Sequence, residues 1–311
     1  NPHVPVAPED FAKRHNMTKE AWMEQLRPMR QALLEARATR VWPGLDDKCL
    51  TGWNGLMISA LCRAVQAFGE TEYKDAATRA AQVLLSRQWD GDVLLRVLKG
   101  DHGSVRGTLE DYAYFADGLV DLYETTFDAK WAVAAREIAG RMGELFQDAS
   151  GGFFYTDGTD KSLISRTRDN HDGALPAAAS VATKALLRLG VLFRDEKLTQ
   201  LGRRALEADG RRANAHPLAY ASLVIASFYA QPQLPEITLA GSDRAEIENL
   251  AGAVWSTYMP ARVLAANIGG SDVLPLAAEK PADSNASAYL CRNMTCLAPV
   301  STGDELRSLL H

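Results

Sequence analysis

Three ionisable residues have types and positions suited to acid–base chemistry: Asp111, Asp172 and His216. Each lies near the start of a segment with helical periodicity. A pair of carboxylates can hydrolyse a glycosidic bond, and their separation decides the stereochemistry. Histidine exchanges a proton near neutral pH, as epimerisation at a sugar carbon requires. The sequence therefore makes these three residues the candidate catalytic groups.

Aromatic and polar residues near the same helix starts are candidate ligand contacts. Aromatic rings stack on the C–H faces of sugars, while amides, carboxylates and guanidinium groups hydrogen-bond hydroxyls. This combination favours a polyhydroxylated ligand. The candidate substrate-binding residues are Trp53, Asn54, His102, Glu110, Tyr112, Arg166 and His171.

Most of these residues also have a structural interpretation, which the sequence leaves open. Asp111 follows Thr108 by three residues and fits a capping box. Asp172 fits a plain N-cap. Trp53 fits a core position, since tryptophan is often largely buried. A histidine beside a helix start is commonly a loop or capping residue.

The segments that carry these residues begin at intervals of about 45 to 65 residues, as expected of a helical repeat. Their starts lie near Thr51, Thr108, Asp172 and His216, and one plainer helix follows each of the first three. This alternation predicts inner and outer helices of stacked hairpins. If the hairpins close into a toroid, the inner helices run the same way. Their N-termini, with free N–H groups and a positive dipole, then meet at one end.

The periodicity predicts a mainly α fold with a small C-terminal α/β segment. Eight helices make four hairpins, two fewer than in a closed (α/α)6 toroid, and the others would precede Asn1. Helices are predicted at 18–40, 51–68, 71–89, from 108, and at 128–146, 172–192, 195–208 and 216–229. A β-like stretch at 93–98, a loop at 100–107 and a β-hairpin at 151–165 interrupt them.

The pattern changes after residue 230. A strand at 236–241, a helix at 243–258 and a strand at 262–266 predict a βαβ unit. A loop at 269–287, a strand at 288–291 and a helix at 303–310 follow. The predicted domains are therefore a helical-hairpin toroid over 1–230 and an α/β segment over 231–311.

Composition excludes several classes of protein. Hydrophobic residues make up 47% and charged residues 23%, which are globular values. The net charge is −5, without a run of five like charges, so no nucleic-acid partner is expected. Apolar stretches end well short of 18 residues, so no membrane partner is expected. The chain opens at Asn1 without a methionine, as an internal fragment would.

The 4 cysteines are too few for a disulfide scaffold, and no signal peptide is visible, so a cytoplasmic location is expected. Cys291 and Cys296 lack the further ligands of a zinc site. They are either a redox pair or unpaired thiols. The βαβ unit has no Gly-x-Gly-x-x-Gly sequence. Neither a metal nor a cofactor is therefore predicted.

Four motifs resemble one protein family. Residues 46–57 read DDKCLTGWNGLM, 109–113 read LEDYA, 172–180 read DGALPAAAS and 289–299 read YLCRNMTCLAP. In this order they resemble the thioredoxin-domain-containing, spermatogenesis-associated protein family of bacteria and animals. The chain departs from the family at Ala178 and Ala179, where the family pattern has Gly-Asn. An amide contact made there by relatives would be absent here.

The resemblance implies a fold and two possible functions. Members resemble a thioredoxin-like domain followed by an (α/α)6 toroid similar to N-acylglucosamine 2-epimerases and six-hairpin glycosidases. This chain, without a Cys-x-x-Cys, would be the toroid. The favoured function is carbohydrate-active, as a glycoside hydrolase or sugar epimerase on a saccharide or other small polar ligand. The alternative is a non-catalytic ligand- or protein-binding module coupled to the thioredoxin-like domain of the parent chain.

Overall fold

The computed structural model describes residues 3–271, 273–282, 285–293 and 295–310, which form two compact units divided between residues 47 and 48. The first unit contains helices α1 (Pro8–Arg14) and α2 (Lys19–Ala38). The Thr18 hydroxyl caps α2 by accepting a hydrogen bond from the Ala21 N–H at 3.1 Å. Pro28 lies inside α2 without ending it, so the predicted helix at 18–40 is confirmed.

The second unit is built from helical hairpins. Its helices are α3 (Thr51–Phe68), α4 (Thr71–Arg87), α5 (Leu109–Thr126), α6 (Ala129–Phe146), α7 (Ala178–Leu192), α8 (Glu196–Ala215) and α9 (Ala221–Phe228). Helices α3, α5, α7 and α9 pack on one another in that order, and α4, α6 and α8 pack outside them. The predicted fold class, a mainly α toroid-type array of hairpins that is incomplete here, is confirmed. The described chain has four inner helices, where a closed (α/α)6 toroid has six.

The inner helices pack closely because the sequence removes side chains where they cross. An added Cβ at Gly55 of α3 would lie 2.5 Å from the carbonyl carbon of Tyr114 in α5. One at Gly118 would lie 2.6 Å from the carbonyl oxygen of Gly55. Helix α5 lies between α3 and α7, and nearly every one of its residues is buried. A helix that is buried on every side belongs in a core, and its buried acidic residues require partners there.

A three-stranded antiparallel sheet joins one strand that precedes α3 to two strands that lie between α4 and α5 in sequence. It contains β1 (Cys49–Leu50), β2 (Leu95–Lys99) and β3 (His102–Arg106), in the order β1-β2-β3. The predicted loop at 100–107 is therefore wrong. Gly100, with φ of 59°, opens a two-residue turn between β2 and β3. This turn chemistry is typical of a tight hairpin.

The predicted hairpin at 151–165 is also wrong. Of its residues only Phe153 forms a β-bridge, with Gln147, and the described backbone is otherwise irregular. Side chains replace strand pairing there. Arg166, for example, donates a hydrogen bond from Nε to the Thr156 carbonyl at 2.7 Å.

The C-terminal segment contains the predicted βαβ unit. Strands β4 (Glu236–Gly241) and β5 (Val263–Ile268) are parallel, and α10 (Arg244–Trp255) connects them. Two further strands, β6 (Ser287–Arg292) and β7 (Thr295–Cys296), complete the order β5-β4-β6-β7. Short helices α11 (Pro275–Ala278) and α12 (Gly303–Leu310) complete the elements. The predicted boundary between 1–230 and 231–311 precedes β4 and stays a prediction.

Within the described ranges, no helix combines the length and the apolar character needed to cross a lipid bilayer.

Candidate functional site

The first turns of the inner helices meet at one end of the array, as the spacing of their starts predicts. The Gly52 N–H in α3 donates to Asp111 Oδ1 in α5 at 3.0 Å. The Tyr114 hydroxyl in α5 donates to the Pro176 carbonyl just before α7 at 2.6 Å. The Ser222 N–H in α9 donates to Asp172 Oδ2, before α7, at 2.8 Å. We call this end, formed by the first turns of α3, α5 and α9 and residues 172–177, the N-terminal face.

Asp111 is the most highly coordinated carboxylate of the N-terminal face. Besides the Gly52 N–H, it accepts hydrogen bonds at Oδ2 from the Thr108 N–H at 2.9 Å and from Arg96 Nη1 at 2.9 Å. Thr108 and Asp111 form the capping box of α5. Asp111 is 1% exposed. Both its oxygens therefore hold helix starts and Arg96 together instead of facing solvent.

Glu110, beside Asp111, has a more open environment. Its Oε2 accepts a hydrogen bond from the Tyr155 hydroxyl at 2.9 Å and lies 3.4 Å from Arg96 Nη1. Its Oε1 has no hydrogen bond to any described residue, and the side chain keeps 19% of its surface exposed. Burial, with the Glu110 carboxylate, raises the pKa of Tyr155. Burial opposes the charge of Arg96, yet Asp111 and Glu110 hold the pKa of Arg96 above its ordinary value.

Asp172 lies in a loop instead of starting a helix, so the predicted helix start at 172 is wrong. Helix α7 begins at Ala178, after Pro176, because a proline disfavours helical backbone in the residue before it. Asp172 Oδ1 accepts a hydrogen bond from the Ala177 N–H at 2.8 Å, and Oδ2 accepts the one from Ser222. One carboxylate thus caps α7 and α9 together, and both its oxygens have partners.

His216 and Tyr112 lie away from these carboxylates in the hydrogen-bond pattern. His216 is exposed at the C-cap of α8. A 3-10 turn at Pro217–Tyr220 separates it from α9. Helix α9 begins at Ala221, so the predicted helix start at 216 is wrong. Tyr112 is buried in the hydrophobic core, and its hydroxyl oxygen accepts a hydrogen bond from the Leu94 N–H at 2.8 Å. Burial raises the pKa of Tyr112. Among the described residues, neither side chain is hydrogen-bonded to Asp111 or Asp172.

Three further candidates have local partners. Arg166 Nη2 donates to the Leu145 carbonyl at 2.9 Å, near the end of α6, and its guanidinium lies 4.2 Å from the ring centroid of Phe154. His171 is exposed, with Nδ1 3.9 Å from an oxygen of Asp169. His102 is exposed at the start of β3. His171 directly precedes Asp172, but no hydrogen bond within the described residues joins the side chain of Arg166, His171 or His102 to the N-terminal face.

Trp53 and Asn54 lie in the first turn of α3, next to Gly52. The Trp53 side chain is 59% exposed, so the alternative prediction of a core position for Trp53 is wrong. Asn54 Nδ2 donates to the Leu50 carbonyl at 2.9 Å, and its side chain is half-buried. Among the predicted site residues, Trp53 and Glu110 thus combine exposure with a place on the N-terminal face.

A buried ionic network lies deeper between the inner helices. Arg188 of α7 is 1% exposed and binds Asp117 at 2.8 Å, Asp121 at 2.7 Å and Glu124 at 3.2 Å, all from α5. Burial would raise the pKa of Asp121, but Arg188 and Arg63 hold it well below its usual range. The sequence prediction missed this network. Its signal is the spacing of the three acids, which places them on one stripe of an apolar helix.

Arg96, which orients Glu110 and Asp111, was also missed. It is the single charged residue within the apolar stretch 93–98. A cation in such a stretch requires a partner when it is partly buried.

Cys291 and Cys296 form a disulfide across β6 and β7. Cys291 is buried and Cys296 is exposed. Lys280 Nζ lies 3.3 Å from Cys296 Sγ. The two cysteines are thus paired with each other, and their proposed redox role stays a prediction. No group of three or more His, Cys, Asp or Glu residues in the described part of the chain is arranged to hold a metal ion.

Comparison with known proteins finds relatives along most of the chain. Spermatogenesis-associated protein 20 of Homo sapiens is 31% identical over 319 residues, which cover 96% of this chain and 41% of that protein. The Mus musculus protein of the same name is also 31% identical, with 40% of its length covered. An uncharacterised protein of Caenorhabditis elegans is 26% identical over 318 residues, 97% of this chain and 43% of that protein. The chain therefore spans about two-fifths of these relatives.

Comparison with solved structures finds partial superpositions. A GH76 alpha-mannanase from Bacteroides thetaiotaomicron superposes with a TM-score of 0.49 and 16% identity, over 60% of this chain and 53% of that one. A D-mannose isomerase superposes with a TM-score of 0.44 and 13% identity, over 60% of this chain and 55% of that one. No protein-family model matches the chain.

Proposed function

We propose a carbohydrate-active function at the N-terminal face of this chain, which belongs to the spermatogenesis-associated protein family over the region that it shares with its relatives. The ligand is a mono- or oligosaccharide. The observation that supports this proposal is the placement of an exposed indole, Trp53, and a carboxylate with a free oxygen, Glu110, on adjacent helix starts. An indole offers a stacking surface to sugar C–H groups, and the carboxylate accepts hydroxyl protons.

Glu110 replaces Asp111, Asp172 and His216 as the proposed acid–base group. Asp111 and Asp172 have backbone or Arg96 donors on both oxygens, so they act as positioning residues. Hydrolysis requires a second group that acts as a base or a nucleophile, and epimerisation requires a second acid or base. The Tyr155 hydroxyl, which lies 2.9 Å from Glu110 Oε2, is the proposed second group. Burial and the Glu110 carboxylate raise the pKa of Tyr155, so its hydroxyl is protonated at neutral pH and can donate a hydrogen bond to a ligand oxygen.

A saccharide panel measured by thermal shift tests the proposal. A ligand at 100 times its dissociation constant stabilises the folded chain by about 2.7 kcal/mol. We expect a sugar-specific rise in Tm for the wild type. Trp53→Ala and Glu110→Gln should abolish it, because they remove the stacking surface and the ionised acceptor.

Matched variants separate binding from a general loss of stability. Phe68→Ala removes an aromatic side chain that is 74% exposed at the other end of α3. Glu137→Gln removes an exposed carboxylate from α6. Both controls should keep the ligand-induced shift. A folded wild type that responds to no sugar, or controls that lose the shift as Trp53→Ala does, would contradict the proposal. Any sugar that binds is then assayed for hydrolysis and epimerisation with Glu110→Gln.

A second candidate function is thiol–disulfide exchange with a thioredoxin-like domain, favoured by the exposed Cys296 beside Lys280. A partner thiolate attacks Cys296 Sγ, forms a mixed disulfide and releases the Cys291 thiolate, which takes a proton from water. The second partner thiolate then attacks the mixed disulfide and releases Cys296, whose thiolate is stabilised by the Lys280 ammonium. Two electrons pass to this chain, and the partner ends as a disulfide.

The rate of reduction by a thioredoxin-type dithiol tests this second function. Alkylation and mass spectrometry count the thiols released. We expect Lys280→Met to slow reduction, because it removes the cation beside the leaving sulfur, while Lys197→Met on the exposed surface of α8 leaves the rate unchanged. A rate no faster than that with dithiothreitol at equal concentration would argue against a protein partner of this kind.

A further inference from the structure

A cavity of about 540 Å³ lies at the opposite end of the array from the N-terminal face. It opens between the end of α5, the first turns of α4 and α6, and the carboxyl end of β5, which contributes Ala266 and Ile268. Helix α5 has 18 residues, so the two ends lie roughly 25 Å apart. The cavity is therefore separate from the proposed saccharide site.

We propose that this cavity binds a phosphorylated small molecule. Three cationic residues from three different helices line it: Lys74 of α4, Lys130 of α6 and Arg244 of α10. Lys74 is half-buried and has no hydrogen bond or ion pair within the described part of the chain. An ammonium group without a carboxylate partner gains charge-assisted hydrogen bonds when an anion binds to it.

The other two cations are held in place by the surrounding structure. Lys130 Nζ lies 4.6 Å from the ring centroid of Trp131 and 2.6 Å from Asp128 Oδ2. Arg244 donates from Nη2 to the Thr126 carbonyl and from Nε to Glu248 at 3.0 Å. These contacts fix both positive groups at the rim without neutralising the whole cluster.

The acidic residues of the cavity do not form a cation site. Both oxygens of Asp128 are engaged, since Oδ1 accepts the Lys130 N–H at 3.2 Å and Oδ2 pairs with the ammonium of the same residue. Asp75, the other acid in the lining, is exposed at the edge. Asp128 pairs with Lys130, and Glu248 pairs with Arg244 from outside the lining, so Lys74 is the lining cation that no carboxylate of the described chain neutralises.

The position in the α/β segment agrees with an anionic ligand. Strands β4 and β5 are parallel, and crevices at the carboxyl ends of parallel strands are common ligand sites. Arg244 is the first residue of the helix that follows β4. The floor is apolar, with Phe127, Leu274 and Ala277 buried beneath the rim. The cationic rim would hold a phosphate group, and the floor would hold the rest of the molecule.

Isothermal titration with inorganic phosphate, ribose 5-phosphate and ribose tests this inference. The titrations use the Trp53→Ala variant, which lacks the stacking surface of the proposed saccharide site, so that ribose shows no heat. We expect both phosphates to bind, with ribose 5-phosphate tighter because it also covers the floor. Lys74→Ala and Arg244→Ala should each weaken binding about tenfold, because each removes a charged hydrogen-bond donor.

Lys197→Ala is the matched control. It changes the net charge equally but removes a lysine of α8 whose side chain is 72% exposed outside the cavity. It should bind phosphate as the wild type does. Equal weakening by Lys197→Ala would show a general charge effect, and folded protein that binds neither phosphate would overturn the inference. Neither result depends on Trp53 or Glu110, so the saccharide proposal is judged separately.

Discussion

The carboxylate of Asp111 accepts a hydrogen bond from the backbone N–H of Gly52 at 3.0 Å, although the two residues lie on different helices. The bond gives a first-turn N–H of α3 a partner supplied by the first turn of α5, so one side chain caps two helices. An acidic residue in a sequence motif can thus be required for the fold, whether or not it takes part in a reaction.

Asp111→Asn should destabilise the chain by about 1–3 kcal/mol, because an amide NH2 would face the N–H donors of Thr108 and Arg96. Urea unfolding followed by circular dichroism measures the change. Glu72→Gln, an exposed acid in the first turn of α4, is the control and should shift stability by less than about 0.5 kcal/mol. Equal stability of Asp111→Asn and the wild type would contradict the capping role.

Arg188→Met should cost about 3–5 kcal/mol, since it leaves Asp117, Asp121 and Glu124 buried without their shared cation. The free energy of unfolding in urea provides the measurement. Arg136→Met is the control, because Arg136 pairs with Asp195 at 2.7 Å near the surface with 48% of its side chain exposed. That pair should contribute about 0–1 kcal/mol. Similar losses in the two variants would mean that the buried network is no more important than a surface pair.

Stability should fall at acidic pH through Asp121. Its folded pKa lies below its unfolded value of about 3.9, so its contribution is fully present above pH 4. As the pH falls further, the unfolded chain binds the proton first, and the contribution is lost on the way to the folded pKa. Urea unfolding between pH 7 and pH 3 should therefore show a weaker pH dependence for Asp121→Asn than for the wild type. Parallel curves for the two proteins would exclude this assignment.

Gly55→Ala should destabilise the protein by about 1–3 kcal/mol, because its Cβ would meet the backbone of Tyr114 at 2.5 Å. Gly140→Ala in α6 is the matched control, since no atom lies within 4 Å of its added Cβ. There the higher helix propensity of alanine should stabilise by up to about 1 kcal/mol. Opposite signs in thermal unfolding are the expected result, and a neutral Gly55→Ala would show that the two helices are free to separate.

The two unpaired thiols should react at different rates. Cys49 is exposed, whereas Cys62 is buried. Burial and the nearby Asp121 raise the pKa of Cys62 to about 12. A disulfide reagent at pH 8 should therefore titrate one thiol rapidly in the native protein, two after unfolding and four after reduction. Four thiols in unfolded protein without reductant would contradict the Cys291–Cys296 disulfide.

The sequence predicted the helices best where apolar periodicity was long. The helix at 51–68 matches α3, and the predicted helix over 128–146 matches α6 to within one residue. Helix starts that follow a proline were less predictable. The segment from 172 has helical composition, but Pro176 delays the helix to Ala178, and the side chain of Asp172 caps it from outside.

Short β structure and the details of the site were not predictable from composition. The β2–β3 turn depends on Gly100, which has a positive φ. The polar residues around this glycine are typical of a loop, so composition alone does not indicate two paired strands. The sequence also allows a core position for Trp53, and the packing around α3 is what leaves its ring exposed to solvent. Likewise, Glu110 and Asp111 are neighbours of one chemical type. Their different environments arise from Gly52, Arg96 and Tyr155, which are distant in sequence.

Helix α5 places a strong constraint on how this sequence can vary in length. Its residues are buried from Asp111 to Thr125, with different neighbours on every side. A deletion of one residue would turn the rest of the helix by about 100° and present each side chain to the wrong neighbour. The irregular stretch between Gly158 and Asp169, which is largely exposed, carries no such requirement. Insertions and deletions among homologous chains are thus expected in that loop and excluded from α5.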